Sequence, residues 1–199
     1  ATKRVIDIAA SAGGLLALSP LLAGLTGAVW MAHGWPPFFV QKRVGRYGRP
    51  FLLIKYRTMT NARGPDGELL PDDERLTRFG QWLRSTSLDE LPELVNVLIG
   101  DMSLVGPRPL LEEYLSWYTP EEQRRHDVRP GITGLAQVRG RNALDWDTKL
   151  AHDVAYVDGW SLRKDAEILA STVAVVLQRE GIEAEDHATM PRLDVLRSS

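Results

Sequence analysis

Two adjacent carboxylates, Asp89 and Glu90, are the most promising chemical groups in this sequence. Ser87 and Glu90 have the spacing of a capping box, which predicts that both acids lie in the first turn of a helix. Unpaired N–H groups and the positive end of the helix dipole stabilise negative charge there, so we expect Asp89 to be ionised at neutral pH. An ionised carboxylate can act as a nucleophile or as a metal ligand. Acids are also common in first turns, so a purely structural role stays open.

Neighbouring helix positions diverge, so Asp89 and Glu90 cannot flank a sugar as the opposed carboxylates of glycosidases do. A shared cation or one reacting phosphate suits the pair better. Several arginines, some beside Pro or Gly, are candidates for binding phosphate oxygens through two hydrogen bonds, although each could instead be a surface residue or part of a structural ion pair. These candidates are Arg84, Arg108, Arg129, Arg139 and Arg141.

Composition and missing motifs exclude several other classes of protein. A chain of 199 residues with 44% hydrophobic residues can bury the core of one ordinary domain. Its net charge of −2 does not predict a nucleic-acid partner, and the lack of Cys excludes disulfides and thiolate metal sites. The sequence has no P-loop, dinucleotide-binding, zincin or G-x-S-x-G motif, and the four His show no metal-ligand spacing.

The amino-terminal third is basic and contains the segment that predicts membrane contact. Residues 1–60 hold eight Lys and Arg against one Asp, a net charge of +7, whereas the remainder is acidic. No full charge occurs from Ile8 to Ala32, a length that would reach about 37 Å as a helix against a bilayer core of about 30 Å. Because cationic residues flank both ends and Ser19-Pro20 interrupts the middle, we predict a bent, re-entrant helix. A spanning helix and a secretion signal are the alternatives.

The remaining chain predicts short elements around loops. Residues 51–56 form a strand, 61–73 an exposed loop, and the stretches 73–83, 119–126, 146–157 and 162–178 are helical. A further amphipathic helix follows Ser87, presents Leu91, Leu94, Val95 and Leu98 on one face, and ends at Gly100. The last helix has an apolar face that either rests on the bilayer or packs in the core. This face comprises Ile168, Leu169, Val173, Val176 and Leu177.

A series of short motifs occurs in order between about residue 3 and about residue 180. They are Lys3-Arg-Val-Ile-Asp7, Ser19-Pro20, Lys55-Tyr-Arg57-Thr-Met59, Ser87-Leu-Asp89-Glu90-Leu-Pro-Glu-Leu, Gly100-Asp-Met-Ser-Leu-Val-Gly106-Pro-Arg108-Pro109 and Arg129-Pro-Gly131-Ile-Thr-Gly134-Leu-Ala-Gln137-Val-Arg139-Gly140-Arg141. As an ensemble these motifs resemble the bacterial sugar transferases, the small monotopic phosphoglycosyl transferases.

The resemblance implies a mostly α fold with short extended segments. Residues 1–40 would form a re-entrant membrane helix broken at Ser19-Pro20 with an interfacial segment, 41–182 a small cytoplasmic catalytic domain with amphipathic interfacial helices, and 183–199 a polar tail. The implied location is the cytoplasmic face of the bacterial inner membrane. A homodimer is left open.

The implied reaction is the Mg²⁺-dependent transfer of a sugar 1-phosphate from a UDP-sugar to polyprenyl phosphate. Asp89 would be the nucleophile, forming an aspartyl-phosphosugar and releasing UMP, and Glu90 would assist with the cation and the acceptor phosphate. Both acids are therefore the expected metal ligands. The positions that match phosphate- or nucleotide-binding residues of the family are Arg84, Arg108, Arg141, Arg57 and Arg139.

The identity of the sugar is predicted only from the carboxyl-terminal segment. Residues 181–191 are similar to members of the family that use a diacetamido-trideoxy sugar such as bacillosamine. Two other functions are compatible with the acidic pair or with the membrane-binding surface: a Mg²⁺-dependent hydrolase of nucleotide sugars, and a non-catalytic membrane anchor for glycan enzymes.

Overall fold

The computed structural model describes residues 2–140, 144–178 and 192–197 and is mostly helical, with two small sheets. This confirms the predicted mostly α fold with short strands. The helices within the described residues are α1 (Thr2–Ala17), α2 (Ser19–His33), α3 (Asp72–Arg75), α4 (Arg78–Ser85), α5 (Glu93–Ile99), α6 (Pro120–Gln123), α7 (Leu135–Arg139), α8 (Trp146–Asp158), α9 (Leu162–Gln178) and α10 (Leu193–Arg197). The strands are β1 (Phe38–Val44), β2 (Pro50–Tyr56), β3 (Ser103–Val105) and β4 (Gly131–Thr133).

The amino-terminal helices form a bent pair, with an angle of 66° between α1 and α2. Within the described residues no single helix is long and apolar enough to cross a bilayer, whereas this pair is by its combined length and composition. Pro20 has no N–H to donate to the Leu16 carbonyl, and the Ser19 hydroxyl donates to that carbonyl instead, over 2.8 Å. The predicted break at Ser19-Pro20 is thus present, and the Ser19 hydroxyl satisfies a carbonyl that the break leaves free.

Charged residues of α1 bind the remainder of the protein. The Arg4 guanidinium donates to the carbonyls of Val97 and Leu98, at 2.5 and 2.9 Å, at the end of α5. Lys3 pairs with Asp165 of α9 at 2.6 Å. The buried Asp7 carboxylate accepts a hydrogen bond from the Leu104 N–H. The helix pair is therefore docked on the domain through polar contacts as well as apolar ones.

The hairpin of β1 and β2 is antiparallel and places Lys55 opposite Phe39. Asn96 of α5 fixes that helix to β2, since its amide donates to the Leu52 carbonyl and its carbonyl accepts from the Ile54 N–H. Strands β3 and β4 are parallel. Their close approach depends on glycine, because a Cβ at Gly131 would lie 2.1 Å from the backbone nitrogen of Gly106. The glycines of this region therefore serve backbone packing.

Two predicted helices differ from the structure. The predicted helix over 73–83 is divided into α3 and α4, because Leu76 is extended and forms a β-bridge with Met59. Thr77 then caps α4 by accepting a hydrogen bond from the Gly80 N–H.

The predicted apolar face of α9 is divided between the core and the surface, and it shares its buried side with a charged residue. Asp165 and Ile168 are buried on this helix, whereas Leu169 and Val173 are exposed. Asp165 faces inward because it accepts hydrogen bonds from Lys3 and from the hydroxyl of the buried Tyr156. Polar contacts, which apolar periodicity does not report, thus set the orientation of α9.

The polar tail predicted over 183–199 contains a packed helix where the structure describes it. Leu193 of α10 is fully buried in a cluster with Tyr114, Tyr118 and Leu150. Arg197 forms an ion pair with Glu122 at 2.7 Å. Residues 192–197 are therefore part of the folded domain, because one apolar side chain and one guanidinium find partners on it.

Candidate active site

Asp89 and Glu90 lie in a 3₁₀ turn between α4 and α5, and α5 begins only at Glu93. The predicted capping box is wrong: Ser87 has left-handed backbone angles (φ 55°) and its side chain caps nothing. Pro92 precedes the first residue of α5, where its missing N–H costs no helical bond. The two acids are therefore held by a tight turn, and a helix dipole does not account for the charge of Asp89.

Helix α4 brings one arginine to this turn. A Cβ at Gly80 would lie 1.8 Å from the Thr58 carbonyl oxygen, so glycine lets α4 pack directly on the segment after β2. One turn later, Arg84 donates from Nε to the Thr58 hydroxyl at 3.1 Å. Burial lowers the pKa of Arg84, and the charge of Asp89 acts in the opposite direction. Arg84 is thus held close enough to Asp89 for their charges to interact.

Glu90 is the centre of a set of ion pairs. Its Oε1 atom accepts hydrogen bonds from Lys55 at 2.8 Å and from Arg108 at 2.6 Å. Lys55 also lies 3.2 Å from Glu93, which is 2% exposed. We refer to these groups together with Asp89 and Arg84 as the charge cluster: Asp89, Glu90, Glu93, Lys55, Arg84 and Arg108.

A buried ion pair positions the backbone of Arg108. Arg125 donates two hydrogen bonds to Asp153, at 3.0 and 2.7 Å, and a further one to the Arg108 carbonyl at 2.7 Å. Both side chains of the pair are nearly inaccessible to solvent. Pro107 and Pro109 restrict the same stretch from either side. The main chain is therefore fixed, while the Arg108 side chain is 42% exposed and reaches over Glu90.

The charge cluster separates the pKa values of its three acids. Burial and the neighbouring charge of Glu90 raise the pKa of Asp89 to about 6, against the charges of Lys55, Arg108 and Arg84. Burial would raise the pKa of Glu90 too, but the charges of Arg108 and Lys55 and their hydrogen bonds hold it well below its usual range. Burial and the charge of Glu90 raise the pKa of Glu93 to about 7. Asp89 is thus mostly ionised at neutral pH, but less readily than an ordinary aspartate.

The Asp89 carboxylate accepts no hydrogen bond from the residues that the structure describes, and the residue is 8% exposed. Glu90, in contrast, is occupied by two cations. An available anion beside three cationic side chains can attack an electrophilic phosphorus whose oxygens those cations stabilise.

The oxygen donors of the charge cluster could serve as ligands for Mg²⁺. Among the described residues there is no cluster of three or more His, Asp or Glu side chains that could hold a metal ion. Mg²⁺ usually takes only one or two protein carboxylates and completes its coordination with substrate phosphates and water. Asp89 and Glu90 match that pattern, with hard oxygen donors on neighbouring residues.

The other predicted arginines lie in different settings. Arg57 is buried and donates to the Pro36 carbonyl at 3.0 Å, so its guanidinium is engaged by the segment after α2. Arg129 donates to the Gly100 carbonyl at 2.8 Å. Arg139 is exposed at the end of α7, and Arg141 lies outside the described residues. Substrate binding by Arg57, Arg139 and Arg141 stays a prediction, as does the sugar inferred from residues 181–191, which also lie outside.

Lys55 and Glu93 belong to the charge cluster although sequence reasoning gave them no role. Lys55 stands in a strand, and Glu93 lies in what the periodicity identified as an amphipathic helix. The spacing of Glu93 from Glu90 could have predicted its membership, because side chains three residues apart on a helical turn lie near each other. Nothing in the spacing relates Lys55 to the acids, since the contact spans 35 residues.

Comparison with known proteins identifies the class of enzyme to which this fold and this cluster correspond. Residues 1–179 match the family model described as "Bacterial sugar transferase". The chain therefore belongs to the bacterial sugar transferase family, and the resemblance inferred from its motifs is confirmed.

Individual relatives are similar over most of this chain. The "Uncharacterized sugar transferase EpsL" of Bacillus subtilis is 50% identical over 190 residues, covering 96% of this chain and 94% of the relative. The "UDP-glucose:undecaprenyl-phosphate glucose-1-phosphate transferase" of Caulobacter vibrioides is 43% identical, covering 88% and 69%. The "Undecaprenyl-phosphate galactose phosphotransferase" of Salmonella typhimurium is 41% identical, covering 90% of this chain but 41% of that longer protein.

Proposed function

We propose that this protein transfers a sugar 1-phosphate from a UDP-sugar to a membrane polyprenyl phosphate and thereby starts the assembly of a bacterial glycoconjugate. The observation that carries the proposal is the Asp89 carboxylate, which accepts no hydrogen bond within the described residues and lies beside Lys55, Arg84 and Arg108. The names of the relatives support the same reaction class, since they include transferases of glucose 1-phosphate and galactose phosphate to undecaprenyl phosphate.

In the first step, an Asp89 carboxylate oxygen attacks the phosphorus that carries the sugar. A bond forms between this oxygen and the phosphorus, the bond to the bridging oxygen of the diphosphate breaks, and UMP leaves with that oxygen. Arg84 and Arg108 neutralise charge on the phosphate oxygens, which is the main requirement of phosphoryl transfer. The product on the protein is an aspartyl-phosphosugar.

In the second step, an oxygen of the polyprenyl phosphate attacks the same phosphorus and Asp89 departs as a carboxylate. The two anionic substrates thus use one set of cations in turn, which avoids holding three phosphates together. Glu90 keeps Lys55 and Arg108 fixed for both steps, because each cation is hydrogen-bonded to its Oε1 atom.

Mg²⁺ is the cofactor that this chemistry calls for. Asp89 and Glu90 would hold it together with oxygens of the bound substrate, and it would supply positive charge against the diphosphate of the donor. The side chains themselves bind and orient the phosphates through Arg84, Arg108 and Lys55.

The bent pair α1–α2 fits a re-entrant membrane anchor at the cytoplasmic face of the inner membrane. Its surface carries exposed apolar side chains, and its polar contacts bind it to the domain that contains the charge cluster. The exposed Trp30 lies at the end of the apolar run and the exposed Trp35 follows it, as side chains at a membrane interface do. This arrangement brings the reaction to the depth of lipid phosphates.

The test is the release of UMP by the full-length protein in detergent or nanodiscs with Mg²⁺. UDP-sugars, including UDP-glucose and UDP-galactose, are supplied without lipid, and the intact protein mass is measured. We expect up to one UMP per protein and an added mass of one sugar phosphate. Asp89→Asn is expected to lower the rates of UMP release and of sugar-phosphate addition by at least about a thousandfold. Asp127→Asn, at an exposed aspartate, is the matched control.

Three outcomes contradict the proposal. Sugar-phosphate labelling that survives Asp89→Asn removes this residue as the nucleophile. Repeated turnover of the UDP-sugar, with UMP released at the same steady rate with and without undecaprenyl phosphate, indicates a hydrolase of nucleotide sugars. Absence of UMP release from every UDP-sugar tested, by a folded and membrane-bound protein, indicates a non-catalytic anchor.

A further inference from the structure

An apolar cavity of about 220 Å³ lies beside the charge cluster. It is enclosed by α5, β4, α7 and α9 together with Leu104 of β3, and Glu90 forms part of its wall. Most of the wall is aliphatic. Its aliphatic lining residues include Leu94, Leu104, Val138, Leu169 and Val176.

Polar groups in the wall are largely occupied by each other. The hydroxyls of Thr133 and Thr172 are hydrogen-bonded at 2.7 Å, and Thr172 also donates to the Ile168 carbonyl. The Gln137 amide donates to the Ile132 carbonyl, while its Oε1 atom is buried and lacks a partner within the described residues. The cavity therefore offers mainly aliphatic surface, which favours an apolar ligand over water.

The cavity wall joins the charge cluster to the surface of α9. Glu90, which pairs with Lys55 and Arg108, is one of its lining residues. At α9, Leu169 both lines the cavity and is 39% exposed, so it marks an opening. Val173, one turn further along α9, is exposed and extends the apolar surface outward.

The cavity also adjoins the proposed membrane anchor. Leu94 separates it from α1, because a Cβ at Gly14 would lie 3.6 Å from the Leu94 side chain. A ligand with a phosphate at the charge cluster and an aliphatic chain in the cavity could thus continue along α9 into the apolar phase around the helix pair. Such a ligand is an amphiphile with a single anionic head.

We propose that this cavity binds the phosphate-proximal isoprene units of the polyprenyl acceptor and so selects for the lipid chain. The inference rests on the proposed function, which supplies the lipid phosphate. A cavity of about 150 Å³ accommodates benzene, so a volume of 220 Å³ accommodates about one or two branched five-carbon units. The remainder of the chain is left to the bilayer.

The first experiment uses a single introduced cysteine, since the chain contains none. Leu169→Cys reports on the cavity opening, and Val173→Cys on the same helix is the matched control. Both full-length variants are labelled with a small methanethiosulfonate reagent in the presence of farnesyl phosphate, inorganic phosphate or UDP-glucose. We expect farnesyl phosphate to slow labelling of Cys at 169 by about tenfold and to leave position 173 nearly unchanged.

Each alternative occupant gives a distinct result. Equal slowing at both positions indicates non-specific adsorption of the lipid and overturns the proposal. Slowing by UDP-glucose alone indicates that the cavity holds the sugar, whose hydroxyl groups would donate to the Gln137 Oε1 atom. This result also overturns the proposal. Slowing by inorganic phosphate to the same extent shows that the chain makes no contact there.

The second experiment separates the cavity from the reaction itself. Val176→Phe fills the cavity, and Val173→Phe adds the same bulk to the exposed face of α9. We expect Val176→Phe to raise the KM for undecaprenyl phosphate by about tenfold and to leave lipid-independent UMP release unchanged. An unchanged KM in a variant that still releases UMP refutes the cavity assignment alone, whereas wild-type protein without UMP release refutes the proposed function.

Discussion

The helix pair α1–α2 exposes apolar side chains, whereas the charge cluster gathers charged side chains in a largely buried turn. In the helix pair, Leu16 and Met31 are among the most exposed large apolar residues, and the charged Asp7 is buried. In the charge cluster, Glu93 is buried and Glu90 is reached by two cations. Exposing apolar side chains and burying charged ones both lower the stability of a folded protein that is surrounded by water alone. The contrast agrees with the proposals that lipid covers the first region and that charged substrates complete the second.

After the loss of the nucleophile Asp89 itself, the largest effect is expected from removing the central carboxylate of the charge cluster. Glu90→Gln leaves Lys55 and Arg108 without their shared anion, so both cations lose their fixed positions. We expect the rate of UMP release to fall by about a hundredfold or more. Single-turnover UMP release measures it, with Glu68→Gln in the exposed loop as the control. A rate within a factor of two of wild type would show that Glu90 does not organise the cations.

The next effect concerns how the helix pair is held. Arg4→Met keeps much of the aliphatic length but removes two hydrogen bonds to the carbonyls of Val97 and Leu98. Hydrogen bonds from a charged donor contribute about 1.5–3 kcal/mol each, and we expect a net loss of about 2–3 kcal/mol in the free energy of unfolding. Denaturant unfolding in detergent measures this, with the exposed Arg49→Met as the control. Equal stability of the two variants would mean that the Arg4 hydrogen bonds do not help to hold α1 on the domain.

The pH dependence of the first step follows from Asp89. Its pKa is raised to about 6, and only the ionised form is a nucleophile. UMP release is therefore expected to be nearly constant above pH 7 and to fall about tenfold per pH unit well below pH 6. Rapid-quench measurements from pH 5 to 8 test this, and circular dichroism at each pH controls for unfolding. A rate that is the same at pH 5 and pH 8 would contradict the assignment.

The smallest effect is expected at Glu93. Its pKa is about 7 in the folded protein, raised from 4.5, so the folded state binds the proton more strongly than the unfolded state. Glu93 therefore lowers stability above pH 7, and this cost vanishes as pH falls below about 4.5. We expect the gain in the free energy of unfolding that Glu93→Gln produces to be larger at pH 8 than at pH 5 by at least about 1 kcal/mol. Urea unfolding of the variant and of the wild type at pH 5 and at pH 8 measures this gain. A larger gain at pH 5 than at pH 8 would contradict the raised pKa of Glu93.

Sequence reasoning predicted local features well where one or two residues determine them. The helix break followed from Pro20, and the end of α5 followed from Gly100, which adopts the left-handed conformation (φ 107°). The strand over residues 50–56 and the helices α8 and α9 were also predicted within a few residues. In each case the signal is a backbone restriction or a regular period, and both are properties of adjacent residues.

Features that depend on distant contacts could not be predicted in this way. The start of α5 was misplaced because Ser87 and Glu90 have the spacing of a cap, while the observed turn depends on a left-handed Ser87. Lys55 and Arg125 were missed because each acts on a residue far along the chain, Glu90 and Arg108 respectively. Composition likewise gave no sign that Lys3 of the basic amino-terminal third pairs with Asp165 within the protein.

The polar docking of α1 has a practical consequence for anyone wishing to obtain a water-soluble enzyme by deleting the first two helices. Such a shortened polypeptide would lose Asp7, and with it the acceptor for the Leu104 N–H at the start of the inner parallel sheet. Asp165 would lose its ammonium partner, and the carboxyl end of α5 would lose the guanidinium that covers it. Solubilisation is therefore better sought by redesigning the outward-facing aliphatic positions of both helices while retaining the three inward-facing charged ones.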